Sequence, residues 1–280
     1  MKKKIYLFSP GIMIFLAILA GVVNPVSAQK KQMKIYVNTD LEGISGVFEF
    51  AQTREKGTPL NIQACEYFMG DLAAVIHGLR DGGATDVIVL DGHGNQAVIP
   101  HLMDPGATYM TGQPKPGPLC MLDSTYAGMC MIGFHAMNGT PDGVLHHTQS
   151  SKTEHKYWYN GVEWGEMAQN AAIAGYYNVP PIMVSGDVAT CREAHKFFGD
   201  NIVTVAVKRG LSRQAAELYP FEITRKALYE GAKKAMAEIS KCKPFQPKLP
   251  MHAKKQWLDA NKKVQTKEGT VTDLRHVLDF

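Results

Sequence analysis

The run KIYVNTDLEGISGV, residues 34–47, sets the reading of the whole chain. Its first six residues, KIYVNT, have the apolar, β-rich character of a buried strand. The run then ends on two carboxylates, Asp40 and Glu42, with Gly43 and Gly46 close behind. Downstream, NIQACEYFMGDLAAVIHGLRDGG (61–83) places apolar residues at helical spacing and stops on Gly82-Gly83, as a helix C-terminus does. TDVIVLD (85–91) is a second short strand. The alternation continues. GATYMTG (106–112), GMCMIGFH (128–135), PPIMVSGD (180–187) and NIVTVAVKRG (201–210) read as strands, the first of them weak. GEMAQNAAIAGYYN (165–178), VATCREAHKFFG (188–199) and ITRKALYEGAKKAMAEISK (223–241) read as helices. Strands alternating with helices predict an α/β fold, a mostly parallel sheet with helices on both faces. HKYWYNGVEW (155–164), with Asn-Gly between aromatic flanks, predicts a hairpin. A hairpin-containing insertion or a smaller C-terminal part is therefore expected beside the main sheet.

Around this core, residues 1–28 are expected to be an export signal. MKKK is a basic start, GIMIFLAILAGVV is an apolar stretch too short for a bilayer span of about 20 residues, and VSA precedes Gln29 as a small-residue cleavage site. The expected organisation is a signal peptide (1–28), an α/β catalytic domain (29–243), and a C-terminal tail (244–280) packing on that domain or on a partner subunit. The mature protein is then periplasmic or secreted, with no membrane span. Lys2, Lys3 and Lys4 supply three of the four net positive charges, so the chain beyond the signal is near neutral and offers no electrostatic case for a nucleic-acid partner. The five cysteines contain no CxxC pair, and their odd number leaves at least one thiol free.

Ligands of parallel α/β sheets bind outside the carboxyl ends of the strands. The first strand delivers Asp40 and Glu42 there, the second runs into DGHGN with Asp91 and His93, and the run 128–134 ends at His135. Any one of these has an ordinary explanation as a turn or loop residue. Three strand ends bearing metal-competent groups together point to a metal site, and a His/Asp/Glu mixture suits Zn²⁺. Asp40 and Glu42 are two residues apart, so in an extended chain both face the same way. Two acids and two histidines also suffice for a pair of ions bridged by a carboxylate. Asp91 and Asn95, flanking His93, are expected to orient its imidazole, and Asp187 to cap the helix that follows it.

TDLEGISGV, DGHGN, GFHA, GVLHHT and WGEM, in this order, resemble the motifs of the DppA-type D-aminopeptidases, zinc-dependent exopeptidases that release N-terminal D-amino acids. The resemblance runs from about Met33 to the region of Leu211. It implies two zinc ions per subunit held by Asp40, Glu42, His93, His135 and Glu166, with Asp40 bridging. It implies His147 as the catalytic histidine, acting on short peptides, and a ring-like homo-oligomer such as a decamer. The chain departs from the family pattern in two places within the motifs. It has one extra residue before Gly143, placed at Asp142, and a second histidine, His146, beside His147. Its expected export signal is a further difference, since the best-known members act inside the cell. Two other readings fit parts of the pattern. A metal-dependent phosphoesterase uses similar ligands but calls for more basic residues in the site loops, and a periplasmic binding protein fits the signal and the fold class without needing clustered ligands.

Overall fold

In the computed structural model the described residues are 32–279, together with Met1 and Lys4. The expected export signal falls almost wholly outside them. Among the described residues no helix is long and apolar enough to cross a membrane.

The main sheet is built from seven strands, β1 (Lys34–Thr39), β2 (Asp86–Asp91), β3 (Thr108–Met110), β4 (Gly128–Ile132), β7 (Pro181–Asp187), β8 (Val203–Ser212) and β9 (Ala215–Leu218). Their order across the sheet is β3-β2-β1-β4-β7-β8-β9. All neighbours run parallel except β8 and β9. Strand alternation sorts the side chains into two cores. Ile35, Val37, Cys130 and Ile132 face one side, while Tyr36, Met129 and Met131 face the other.

The first core is closed by α2 (Pro59–Asp81) and α5 (Phe221–Glu238), through Phe68, Leu72, Leu228 and Ala232. Thr58 caps α2 by accepting from the Asn61 amide, and Pro59 occupies its first turn, where a missing N–H is harmless. The second core is closed by α3 (Glu166–Tyr176) and α4 (Val188–Phe198). The expected helices on both faces are therefore present.

The hairpin forms as β5 (Lys156–Tyr159) and β6 (Val162–Trp164), turning through Asn160 and Gly161, both at positive φ. The chain beyond residue 243, which has no clear signal in the sequence, supplies β10 (Met251–Leu258) and β11 (Val264–Val271). These join the hairpin in a four-stranded antiparallel sheet of order β11-β10-β5-β6. Insertion and C-terminal part are thus a single layer, lying against the second core through Tyr157, Tyr159, Met251 and Ala253. Among the described residues no disulfide forms, and all five cysteines are free thiols.

The strand order reverses direction at β1. The chain steps from β1 to β2 on one side and reaches β4 on the other, which opens a crevice at the carboxyl ends of these three strands.

Candidate metal centre

Asp40 follows β1 immediately, and its amide donates to the Ile132 carbonyl at 2.8 Å, fixing the end of β1 beside the end of β4. Gly43 then passes so close to the next loop that a Cβ there would collide with the Phe134 carbonyl. Its amide instead donates to the Gly133 oxygen at 2.7 Å. Gly46 turns at φ +78°, a conformation open to glycine. Gly43 thus allows the loops after β1 and β4 to lie in contact, and so brings Asp40, Glu42 and His135 together.

All six residues expected at the site converge. His93 Nδ1 lies 3.0 Å from Asp40 Oδ1 and 3.1 Å from Glu42 Oε2. His135 Nε2 lies 3.2 Å from the other Asp40 oxygen, Oδ2, and 3.6 Å from Glu166 Oε1. His147 Nε2 lies 3.8 Å from Glu166 Oε1, and its ring stacks on His135 at 3.9 Å between centroids. Two groups emerge, Asp40 with Glu42 and His93, and His135 with His147 and Glu166, each with its ligand atoms within 4.8 Å of one another. Asp40 presents one oxygen to each.

Each imidazole is oriented by a backbone carbonyl on its far nitrogen. His93 Nε2 meets Thr53 O at 3.0 Å, His135 Nδ1 meets Ala136 O at 3.0 Å, and His147 Nδ1 meets Leu145 O at 2.8 Å. That arrangement holds an N–H on the carbonyl side, so that the other nitrogen faces the carboxylates and offers its lone pair once its proton is displaced, as metal-ligating histidines require. Glu42 Oε2 and His135 Nε2 are buried without a well-aligned hydrogen bond, their nearest polar neighbours being His93 Nδ1 at 3.1 Å and Asp40 Oδ2 at 3.2 Å within the cluster itself. Orphaned polar atoms aimed into a nest of carboxylates fit a bound cation.

Electrostatics give the same fit. Burial works against charge on His135, but its hydrogen bond to Asp40 and the Glu166 and Asp40 charges carry it up to about 10. His93 likewise rises well above the ordinary histidine value against its own burial, driven by Glu42 and Asp40. Burial opposes ionisation of Asp40, yet its hydrogen bonds to His135 and His93 hold it well below the usual carboxylate range. Without a cation, protons on His93 and His135 balance the acids. A metal must displace them. Uptake of zinc by chelator-treated protein at pH 7 is therefore expected to release one to two protons, and affinity to fall about tenfold per pH unit for each displaced proton as the pH is lowered. Calorimetry in buffers of different ionisation enthalpy measures this, and uptake without proton release would contradict it. The metal-free fold should show the linked effect. Stability from the raised His135 is complete below its ordinary value near 6.5 and is lost as pH climbs through about 10.

His146 faces elsewhere, accepting at Nδ1 from the Gly139 amide at 3.0 Å. Between the paired histidines the geometry thus favours His147. The extra residue Asp142 forms an exposed pair with Arg192 at 2.6 Å, outside the cluster. The expected support of His93 by Asp91 and Asn95 is corrected. Asp91 instead accepts from the Ala97 and Val98 amides and from Thr111 Oγ1, shaping the loop after β2. Asn95 donates to the Thr53 carbonyl that His93 also uses, so it braces the partner rather than the ring. The reason is local: the peptide amides after Gly94 turn back onto Asp91 and occupy its oxygens. Asp187 does cap α4, accepting from the Thr190 amide at 2.7 Å.

Three buried ionisable side chains hold the site loops from beneath, and the sequence pattern gives a role to Asp187 alone. Lys208 is fully buried on β8, and its Nζ donates to the carbonyls of Glu42 (2.6 Å), Ile44 (2.9 Å) and Val47 (2.5 Å). Burial pulls it down to about 8, still above neutrality, so three protons meet three acceptors. Its register neighbour on β7, Asp187, also accepts from the Val144 amide in the loop to His147. Glu193 of α4 accepts from the Met137 amide at 2.8 Å, just beyond His135. The one signal for Lys208 is a lysine inside the apolar run TVAVKRG.

The chain resembles known proteins over most of its length. A family model described as D-aminopeptidase matches residues 33–268. A D-aminopeptidase of Bacillus subtilis (strain 168) is 30% identical over 257 residues, covering 86% of this chain and 90% of that protein. Among solved structures, the Zn-dependent D-aminopeptidase DppA from Bacillus subtilis, described as a self-compartmentalizing protease, superposes with a TM-score of 0.79 at 27% identity. It covers 88% of this chain and 94% of its own.

Proposed function

The chain belongs to the D-aminopeptidase family, which makes it a metal-dependent aminopeptidase, and from that premise we propose that it removes N-terminal D-amino acids from short peptides at a dinuclear zinc centre. The observation that carries the dinuclear reading is Asp40, whose Oδ1 faces His93 and whose Oδ2 faces His135. Asp40, Glu42, His93, His135 and Glu166 hold the metal in this reading. Bound zinc supplies Lewis-acid activation of the scissile carbonyl and of water.

His147 handles the proton. Its Nδ1–H is committed to Leu145 O, and burial together with the His135 charge pushes its pKa down to about 4. The ring is therefore neutral at physiological pH, with the Nε2 lone pair open towards the reacting centre. Nε2 takes a proton from the attacking water and delivers it to the departing nitrogen, a role worth about 10²–10⁴-fold. Because His147 Nε2 also lies near Glu166, the alternative is that it binds metal. His147→Ala separates these roles: the expected result is an unchanged metal content with turnover down by about 10²–10⁴-fold. Loss of metal in that variant would reassign His147 as a ligand.

The reaction itself is tested by metal analysis and by hydrolysis of D-alanyl-D-alanine against its L,L counterpart and a phosphate ester. Unaltered turnover after chelation, or preference for the phosphate ester, would overturn the proposal. We further propose a ring-like homo-oligomer, supported by the self-compartmentalizing description of the related DppA, and action outside the cytoplasm, supported by the character of residues 1–28. Light scattering on the purified mature protein reads the first, and N-terminal sequencing of protein from fractionated cells reads the second.

A further inference from the structure

The cavity beside Glu42, His93 and His147 has a second wall of opposite character. It encloses about 340 Å³ and extends to Arg54 and Lys152, with Asn95 and Ser150 between. Arg54 ends the short helix α1 (Ala51–Arg54), and its guanidinium lies over the Phe50 ring, 3.4 Å from the centroid. Nε donates to Ser151 Oγ at 2.9 Å and Nη2 to Ser151 O at 2.6 Å. Nη1 has no acceptor among the described residues. Neither Arg54 nor Lys152 has a carboxylate within ion-pair distance among those residues, whereas the nearby Arg213 is paired to Glu154 at 2.9 Å. A guanidinium held rigid on an aromatic face, with one nitrogen free and no counter-ion, is pre-organised for an anion.

Resting on the aminopeptidase reading, we propose that Arg54, assisted by Lys152, receives the terminal carboxylate of the leaving residue and so makes dipeptides with a free C-terminus the preferred substrates. The dimensions suit this. In a dipeptide the scissile carbonyl carbon and the carboxylate carbon are three bonds apart, roughly 3–4 Å, so one cavity of this size can hold both. In a longer peptide a neutral amide occupies the place of the carboxylate and leaves the guanidinium without its charge partner.

The test compares D-alanyl-D-alanine with its C-terminal amide on the zinc-loaded protein. A charge-assisted contact of this kind corresponds to roughly 10–100-fold in kcat/KM in favour of the free acid. Arg54→Gln is expected to collapse that ratio towards one, chiefly through a higher KM for the acid, and Arg54→Lys to restore part of it. A wild-type ratio near one overturns the assignment without any variant. So does an Arg54→Gln protein in which both compounds lose rate equally and the ratio persists, since Arg54 would then only brace Phe50 and Ser151. Cleavage of neither compound by the wild type is a distinct failure, that of the aminopeptidase reading, and it removes the subsite with it.

Discussion

Asp40→Asn is expected to abolish binding at both metal positions, not at one, and to lower kcat/KM by more than about 10³-fold, given the several kcal/mol that metal activation supplies. The amide keeps what the fold needs from this side chain, because Asp40 Oδ1 accepts from the Leu41 amide at 2.9 Å and an asparagine oxygen can do the same. It loses the charge and the second oxygen, the one that faces His135. Glu42→Gln is the comparison that gives this result meaning. Glu42 approaches His93 but not His135, so its loss should empty the His93 position and leave the other partly filled. Metal content per chain, read by elemental analysis after gel filtration, distinguishes the two patterns. An Asp40→Asn protein that keeps half its zinc would show that Asp40 does not bridge.

The legible part of this site is the part written in strand ends. KIYVNTD, VIVLDGH and GMCMIGFH each show a buried strand breaking into a charged or imidazole side chain, and a parallel sheet has only one edge at which those can meet. Glu166 is less visible, since an acid in the first turn of a helix is favoured there without any function. The partners of the imidazoles are not legible at all. Thr53, Ala136 and Leu145 contribute backbone carbonyls, which every residue possesses, so no side-chain pattern marks them. The C-terminal strands are hidden for a different reason. MHAKKQWL and VQTKEGTV have polar or exposed positions through most of their length, and β10 is fixed by pairing with β5 nearly a hundred residues earlier. Such register is a long-range property.

Lys208→Met is the second large effect expected, and it separates the loop's support from its chemistry. Methionine matches the length of the lysine stem but leaves the Glu42, Ile44 and Val47 carbonyls buried without a donor. Each unsatisfied carbonyl costs about 1–3 kcal/mol, so a loss of roughly 3–5 kcal/mol is expected after relaxation. For a domain of this size that lowers Tm by about 10 °C. Destabilisation alone would leave the folded fraction with normal zinc affinity. The position of Lys208 requires more, because the carbonyls it grips belong to the loop that aims Glu42 at His93. Asp71 holds the same loop from α2, accepting from the Ser45 amide at 2.9 Å, so the turn should persist in the variant while its first residue loosens. Zinc affinity at the Glu42 position is then expected to fall about 10–100-fold, the usual effect of removing support behind a ligand, with the His135 position little changed. Competition titrations with a chromogenic chelator, at a temperature well below the lowered Tm, read the two positions separately. An affinity equal to the wild type would confine Lys208 to holding the fold. A selective loss would make it the residue that converts a glycine-rich turn into a fixed metal ligand.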